Sequence, residues 1–335
     1  MSLRWRQMQA GDVRECAGII AAHPVIGPRY RRAIHDLRPA WLRLLDSQAM
    51  TTAVFEEVEG VRSRTWGVGV GVFVNDDFNR EVKTPPLFWF GPELAKRIMR
   101  ERSPVLSDSQ VREANSGEGL NLLVWEAVPC PEFANRPDVY HLMVSAFLEL
   151  HQGFLLKEMI TSQSESVQRL EWAVDAGGLY WDSTNACYVK SPKGSAEEII
   201  RKPHIVGITR ELELNRPGSW VGNLFDYHPP RFSFSPSEQR LLHLALGGES
   251  GTDQELANAL GVSLPTIKKI WLSVYRRVAD RQPEIIPDCA RPETEAPERG
   301  KEKKRRVLAY LREHPEELRP VSRKRSSNVR LNAVR

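Results

Sequence analysis

Apolar residues recur along this chain at two different intervals, and the interval changes from segment to segment. Over residues 12–21 they fall at Val13, Cys16, Ala17 and Ile20, a helical spacing, with Asp12 placed to cap the helix. Residues 29–46 carry helical spacing too, with a break expected at Pro39, because proline donates no amide hydrogen and crowds the preceding turn. Residues 51–59 and 64–74 alternate as consecutive strands. In the second, Val68, Val70, Val72 and Val74 share one face and Gly67, Gly69 and Gly71 the other. A face made of glycine admits another backbone or a ligand at close range. Further strands are predicted at about 3–8, 119–128, 153–160, 178–182 and 186–190, with helices from Tyr140 to His151 and over about 164–176. Mixed order of this kind predicts an α+β domain over residues 1–224, built on a mostly antiparallel sheet with helices.

The pattern changes at residues 225–234, FDYHPPRFSF, where Pro229 and Pro230 stand among aromatics and mark a linker. Residues 235–281 read almost wholly as helices, an all-α domain. Ser235-Pro-Ser-Glu238 joins a capping box to a proline at the first helical position, and the leucine-rich run behind it stops at Gly247-Gly248. Thr252-Asp-Gln-Glu255 is a second capping box, opening a short helix that Gly261 ends. Ser263 caps a third helix whose apolar positions are Ile267, Trp271, Val274 and Val278. Residues 282–299 have the composition of an acidic, proline-rich linker. Residues 300–335 form a basic tail: 302–313 predict a short helix with Val307, Leu308 and Leu311 as its stripe, stopped at Pro315, and from Ser322 the tail is basic and polar.

A short helix, a glycine turn and a longer basic helix make the pattern of a helix-turn-helix, whose second helix enters the major groove. On this reading Ser263, Thr266, Lys268, Lys269, Ser273, Arg276 and Arg277 are the candidate DNA contacts: hydroxyl and cationic groups suited to base acceptors and phosphates. The residues also resemble a known family. Ser235-Pro-x-Glu238, Gly247, Glu255-Leu-Ala257, Leu260-Gly-Val-Ser263, Thr266-Ile-Lys268 and Val274-x-x-Arg277-Val278 follow the order of the LuxR-type helix-turn-helix domain, over about 45 of the 335 residues. Two departures stand out: a gap about two residues longer between Pro236 and Glu255, and Ile270 where a polar residue is common. The resemblance implies a bacterial-type transcriptional regulator that binds double-stranded DNA as a homodimer, with a small-molecule effector or RNA polymerase as further partners and residues 1–224 as the sensing or interaction domain.

A second resemblance concerns residues 1–224. Arg64-Thr-Trp-Gly67-Val-Gly69 fits the pyrophosphate-binding pattern of GNAT-type acetyltransferases, but that pattern needs a helix start behind its glycines, and here a strand follows. The strand leading to a helix at Asp12 and the closing stretch GFLLKEMITSQSESVQRLEWAVDAGGLYW are similar to the order of elements in that fold. This alternative implies a GNAT-like, acetyl-CoA-dependent N-acetyltransferase fused to a DNA-binding module. No catalytic or cofactor-binding residue is assigned, and no cofactor.

Charge and composition narrow the classes. The net charge of +4 conceals a split: residues 300–335 hold 12 Lys and Arg against 4 Asp and Glu, while residues 1–299 hold 35 against 39. Residues 233–281 are almost balanced, at 6 basic against 5 acidic, so DNA affinity would draw on a second copy or on the tail. There is no apolar run of membrane-spanning length and no signal-peptide pattern, so no membrane partner is expected and a cytoplasmic location is. The four cysteines lie far apart and no histidine pair has zinc spacing, so no metal site is assigned. Glu56, Glu57 and Glu59 make an acidic patch in which Glu57 and Glu59 share a strand face and suggest a solvated edge, Asp76-Asp77 suggests a turn, Cys16 and most tryptophans the core, and His141 and His151 packed or exposed positions outside any catalytic set. Tryptophans beside a glycine face can also line a pocket.

Overall fold

The computed structural model describes residues 2–60, 62–162, 164, 166–216, 218–247, 252–286 and 296–322, with backbone alone at 296–300. It is mixed α/β and divides into two compact units, the second beginning at Pro230 and His314–Glu316 being grouped with the first. Pro230 lies inside the segment expected to be a linker, yet the segment is anchored at both ends. Leu224 and Phe225 are buried in the core of the first unit, and Phe232 and Phe234 in that of the second. Only the proline pair between them lacks amide donors, so a regular element ends there.

The first unit holds an eight-stranded sheet: β1 (Ser2–Arg6), β2 (Met50–Glu59), β3 (Arg62–Val74), β4 (Leu120–Pro129), β5 (Leu156–Thr161), β6 (Leu179–Asp182), β7 (Cys187–Val189) and β8 (Val206–Thr209). The spatial order is β1-β2-β3-β4-β5-β8-β6-β7, and the β4–β5 pair alone is parallel. Alternation along β3 sets its two faces. Val68, Val70, Val72 and Val74 join Leu123, Trp125, Cys16, Ile20, Leu37 and Trp41 in one core. Behind the glycines, Phe55, Trp66, Phe133 and Met143 form another, with Trp66 stacked between Phe55 (5.1 Å) and Phe133 (5.3 Å).

Three local expectations are corrected. Pro39 lies inside the continuous helix Ile34–Leu44. The hydrogen bond it forgoes is to the carbonyl of exposed His35, where water can substitute, while buried Leu37, Ala40 and Trp41 hold the helix to the core. Asp12 sits at the N-cap of the helix Val13–Ala22 but makes no capping bond; its carboxylate accepts from Arg6 at 2.6 and 2.8 Å instead. Asp76 and Asp77 open a helix, Asp76–Glu81, which Asn75 caps. Of the acidic trio on β2, Glu59 is exposed and Glu57 half-buried, but Glu56 is buried and held by Arg4 and Arg6.

The second unit packs the helices Pro236–Gly247, Asp253–Leu260, Leu264–Arg281 and Ala296–Glu313 about one apolar core. The expected short helix of the tail is thus longer and structural: Val307, Leu308 and Leu311 are buried in that core beside Leu241, Ile267, Trp271 and Val274. The start of the expected acidic linker also folds onto it, through Ile286. Residues 248–251, where the longer gap before Glu255 falls, the rest of the expected linker at 287–295 and the basic residues 323–335 lie outside the described residues.

Candidate nucleic-acid interface and candidate ligand cavity

In the second unit the turn between the second and third helices is made by Gly261, whose φ of +64° lies in the left-handed region that side-chain-bearing residues avoid. Ser263 then caps the helix Leu264–Arg281, its hydroxyl accepting from the Thr266 amide at 3.4 Å and meeting the Thr266 hydroxyl at 2.8 Å. The buried stripe of this helix is Ile267, Trp271, Val274 and Val278. At 100° per residue, Lys269 and Arg276 lie opposite that stripe, with Leu272 beside them and Lys268 on the flank. All four are exposed, Leu272 by 54%, and among the described residues no ion pair engages the three cations.

Ser273 and Arg277, expected beside these contacts, are drawn elsewhere. The buried Glu238 carboxylate accepts from the Ser273 hydroxyl at 2.7 Å and pairs with Arg277 Nε at 3.3 Å, while also accepting from the Ser235 amide at 2.6 Å. Burial works to raise the Glu238 pKa; the Ser235 and Ser273 hydrogen bonds and the Arg277 charge outweigh it and hold the carboxyl below its ordinary value. One carboxylate therefore closes the capping box of the first helix and clamps the third to it. Sequence spacing finds the box but not the clamp, because the partners lie 35 and 39 residues away. Lys304, on the fourth helix, pairs with Asp253 at 3.3 Å and lies 5.1 Å over the Trp271 ring.

The first unit holds a half-open cavity of about 190 Å³ on the glycine side of β3. Its walls come from the helices Pro137–His151 and Val167–Asp175 and from the place where β4 and β5 part. Parallel pairing ends at Val124 and Thr161. Just beyond, β4 carries an irregularity: Glu126 faces Val70 and Val124 faces Gly71, so Trp125 is an extra residue. The strand bends away and the gap is left open. Glycine is required on this floor at position 71, where a Cβ would come within 2.6 Å of Thr51 Oγ1 and 2.8 Å of His151 Nε2. At Gly69 the same atom would make ordinary contacts, 3.5 Å or more, with Phe55 and Ala53.

Polar groups on the cavity wall are held in place. His151 Nδ1 lies 2.8 Å from the Phe147 carbonyl and its Nε2 lies 2.7 Å from Thr51 Oγ1. Glu126 accepts from the Tyr30 hydroxyl, which in turn accepts from Trp125 Nε1 at 3.0 Å; burial first, then the Glu126 charge, raises the Tyr30 pKa well above the ordinary phenol. Arg169 lies across the Trp172 and Tyr140 rings at 5.4 and 5.7 Å and reaches Met143 Sδ at 3.8 Å. Sequence alternation identified the glycine floor; the roles of His151, Glu126 and Arg169 emerge only from the packing.

The segment from Arg64 to Gly69 lies within β3. Gly67 is pressed against the β4 backbone, with Pro129 Cα and Val128 O each 3.3 Å from a Cβ placed there, and Arg64 pairs with Glu132 at 2.5 Å. Its backbone is committed to the sheet and cannot cradle a phosphate. Among the described residues, no group of three or more His, Cys, Asp and Glu stands together as a metal site, and no helix is long and apolar enough to cross a membrane. Comparison with protein-family models, curated proteins and solved structures finds no match to this chain.

Proposed function

We propose that this chain is a DNA-binding transcriptional regulator, with the helix Leu264–Arg281 as the element that enters the major groove and the first unit as its sensing domain. The observation that carries the reading is the division of that helix. One stripe is buried against its neighbours, and the exposed remainder presents Lys268, Lys269 and Arg276 to solvent behind a glycine turn and a serine cap. A helix docked by its apolar side and cationic on the other is what major-groove reading requires. Ser263, Thr266, Lys268, Lys269 and Arg276 are the contacts of this reading; Ser273 and Arg277 position the helix through Glu238. The test is binding to duplexes selected from a random pool. The double variant Lys268→Ala, Lys269→Ala, with unchanged melting, should lose affinity and flatten the salt dependence by about two units. Equal affinity at matched salt would refute it, and palindromy in the selected duplexes would report a homodimer.

The second reading is an acetyl-CoA-dependent N-acetyltransferase fused to the helical unit. Its support is the succession of elements in the first unit and a cavity beside the only parallel strand pair of the sheet. It lacks a phosphate cradle at residues 64–69. Thermal stabilisation by millimolar acetyl-CoA would favour it; no shift would remove it.

A further inference from the structure

The helix Leu264–Arg281 places one apolar side chain in the middle of its cationic surface. At about 3.6 residues per turn, Leu272 lies about 40° round the axis from Lys268 on one side and about 40° from Arg276 on the other, with Lys269 about 20° beyond Arg276. All four side chains are exposed, Leu272 by 54%, and among the described residues no ion pair engages Lys268, Lys269 or Arg276. Lys268, Leu272 and Arg276 stand on successive turns, so the two cations are about 12 Å apart along the axis with the leucine midway. The single acid of this helix, Asp280, lies a turn beyond Arg276. An exposed leucine alone is ordinary, and Leu214 is more exposed still, at 65%. Leu272 differs in its company: a partner that fits this surface is anionic at both ends and apolar between them.

Duplex DNA has that pattern. Its major groove is about 12 Å wide between the phosphate walls, and the apolar group that base edges present there is the thymine C5-methyl. A helix set across the groove can bring Lys268 and Arg276 to the two sides and Leu272 onto the floor between them. We propose that Leu272 is a specificity-determining residue that reads the C5-methyl of a thymine in the bound site. This contact rests on the helix entering the major groove, and it adds what the cations there do not supply. Phosphate contacts carry no sequence information. A leucine packed on a methyl group selects thymine, and it does so without releasing a counterion, so its contribution leaves the salt dependence untouched.

The experiment uses the full chain and a duplex selected from a random pool, in which each thymine in turn is replaced by deoxyuridine. The replacement removes one methyl group and leaves base pairing intact. At one position it should weaken binding of the wild-type chain about fourfold, the worth of one buried methyl group. Leu272→Ala should bind the thymine and deoxyuridine duplexes alike at that position, with the melting temperature and the salt slope unchanged, because the side chain it shortens is exposed and uncharged. Leu272→Met, which keeps an apolar side chain of similar reach, should retain the deoxyuridine penalty. A selected duplex that is bound but has no methyl-sensitive thymine, or a penalty that survives Leu272→Ala, would overturn the contact and leave DNA reading in place. A change in the oligomeric state of Leu272→Ala without DNA, measured by sedimentation, would give the leucine to a contact between copies and overturn it too. Failure to select any duplex would overturn the reading of the helix itself, and the thymine contact with it, leaving an acidic amphipathic peptide as the partner that fits the surface.

Discussion

Shortening the chain at two places separates a structural role of residues 300–335 from an electrostatic one. Truncation after Ser322 removes Arg323, Lys324, Arg325, Arg330 and Arg335 and no acidic residue. If all five meet phosphates, the slope of log affinity against log salt becomes shallower by up to about 4.5 units, at about 0.9 per contact. The fold of the second unit should not change, since Leu318 is the last residue of its core among the described residues. Truncation after Arg299 is a different perturbation. It removes Val307, Leu308, Leu311 and Leu318, exposed by 1, 8, 1 and 6%. At roughly 1.5–3 kcal/mol for each buried side chain, that loss is about 6–12 kcal/mol, the size of a whole domain's stability. The same cut removes Lys304, which ties the fourth helix to Asp253 and covers Trp271. The assay is amide hydrogen exchange over residues 264–281, read beside binding to a duplex across a salt series. Loss of protection after the cut at Arg299, together with retained protection and a flattened slope after the cut at Ser322, is the expected pair. Full protection of 264–281 in the shorter chain would refute the structural role of the fourth helix, and an unchanged slope after the cut at Ser322 would remove the arm from DNA binding.

Other consequences are read from buried polar groups. Lys83→Met leaves the buried Glu158 carboxylate, which Lys83 Nζ holds at 2.6 Å, with Asn79 and Tyr188 as donors but no cation; a loss of about 3–5 kcal/mol in urea unfolding is expected, and a loss under 1 kcal/mol would contradict the pairing. Glu238→Ala frees the Ser235 cap, Ser273 and Arg277 together, so it should cost about 2 kcal/mol or more and loosen the exchange protection of residues 264–281, whereas Lys268→Ala should do neither. His204 is buried, and burial lowers its pKa from 6.5 to about 4. The native state thus prefers the neutral ring: its contribution is present above pH 6.5 and is lost as pH falls toward 4, by roughly 3 kcal/mol at the acid end. His204→Phe should narrow the difference in melting temperature between pH 7.5 and pH 4.5, and an unchanged difference would show that other groups set it.

How much of this was legible depended on how far away each residue's partner lies. The caps at Ser235, Thr252 and Ser263 and the turn at Gly261 involve neighbours three or four residues apart, so periodicity and spacing located the helices they bound. The alternation of valine and glycine in β3 likewise announced a floor with nothing standing on it. The opening above that floor was not legible, because it depends on the extra residue Trp125 and on β8, a four-residue strand whose place between β5 and β6 is decided by pairing across the sheet. Charge was the least legible quantity. The third helix carries five cations from Lys268 to Arg281, but Arg277 is held by Glu238 and Arg281 Nη1 donates to the Arg231 carbonyl at 2.5 Å. On the fourth helix, Arg305 and Arg306 pair with Glu302 and Lys304 pairs with Asp253. What a polyanion meets on the third helix is therefore Lys268, Lys269 and Arg276. Three phosphate contacts support only a shallow salt dependence, so a second copy of the chain or the arm beyond Ser322 has to supply the rest of any tight binding.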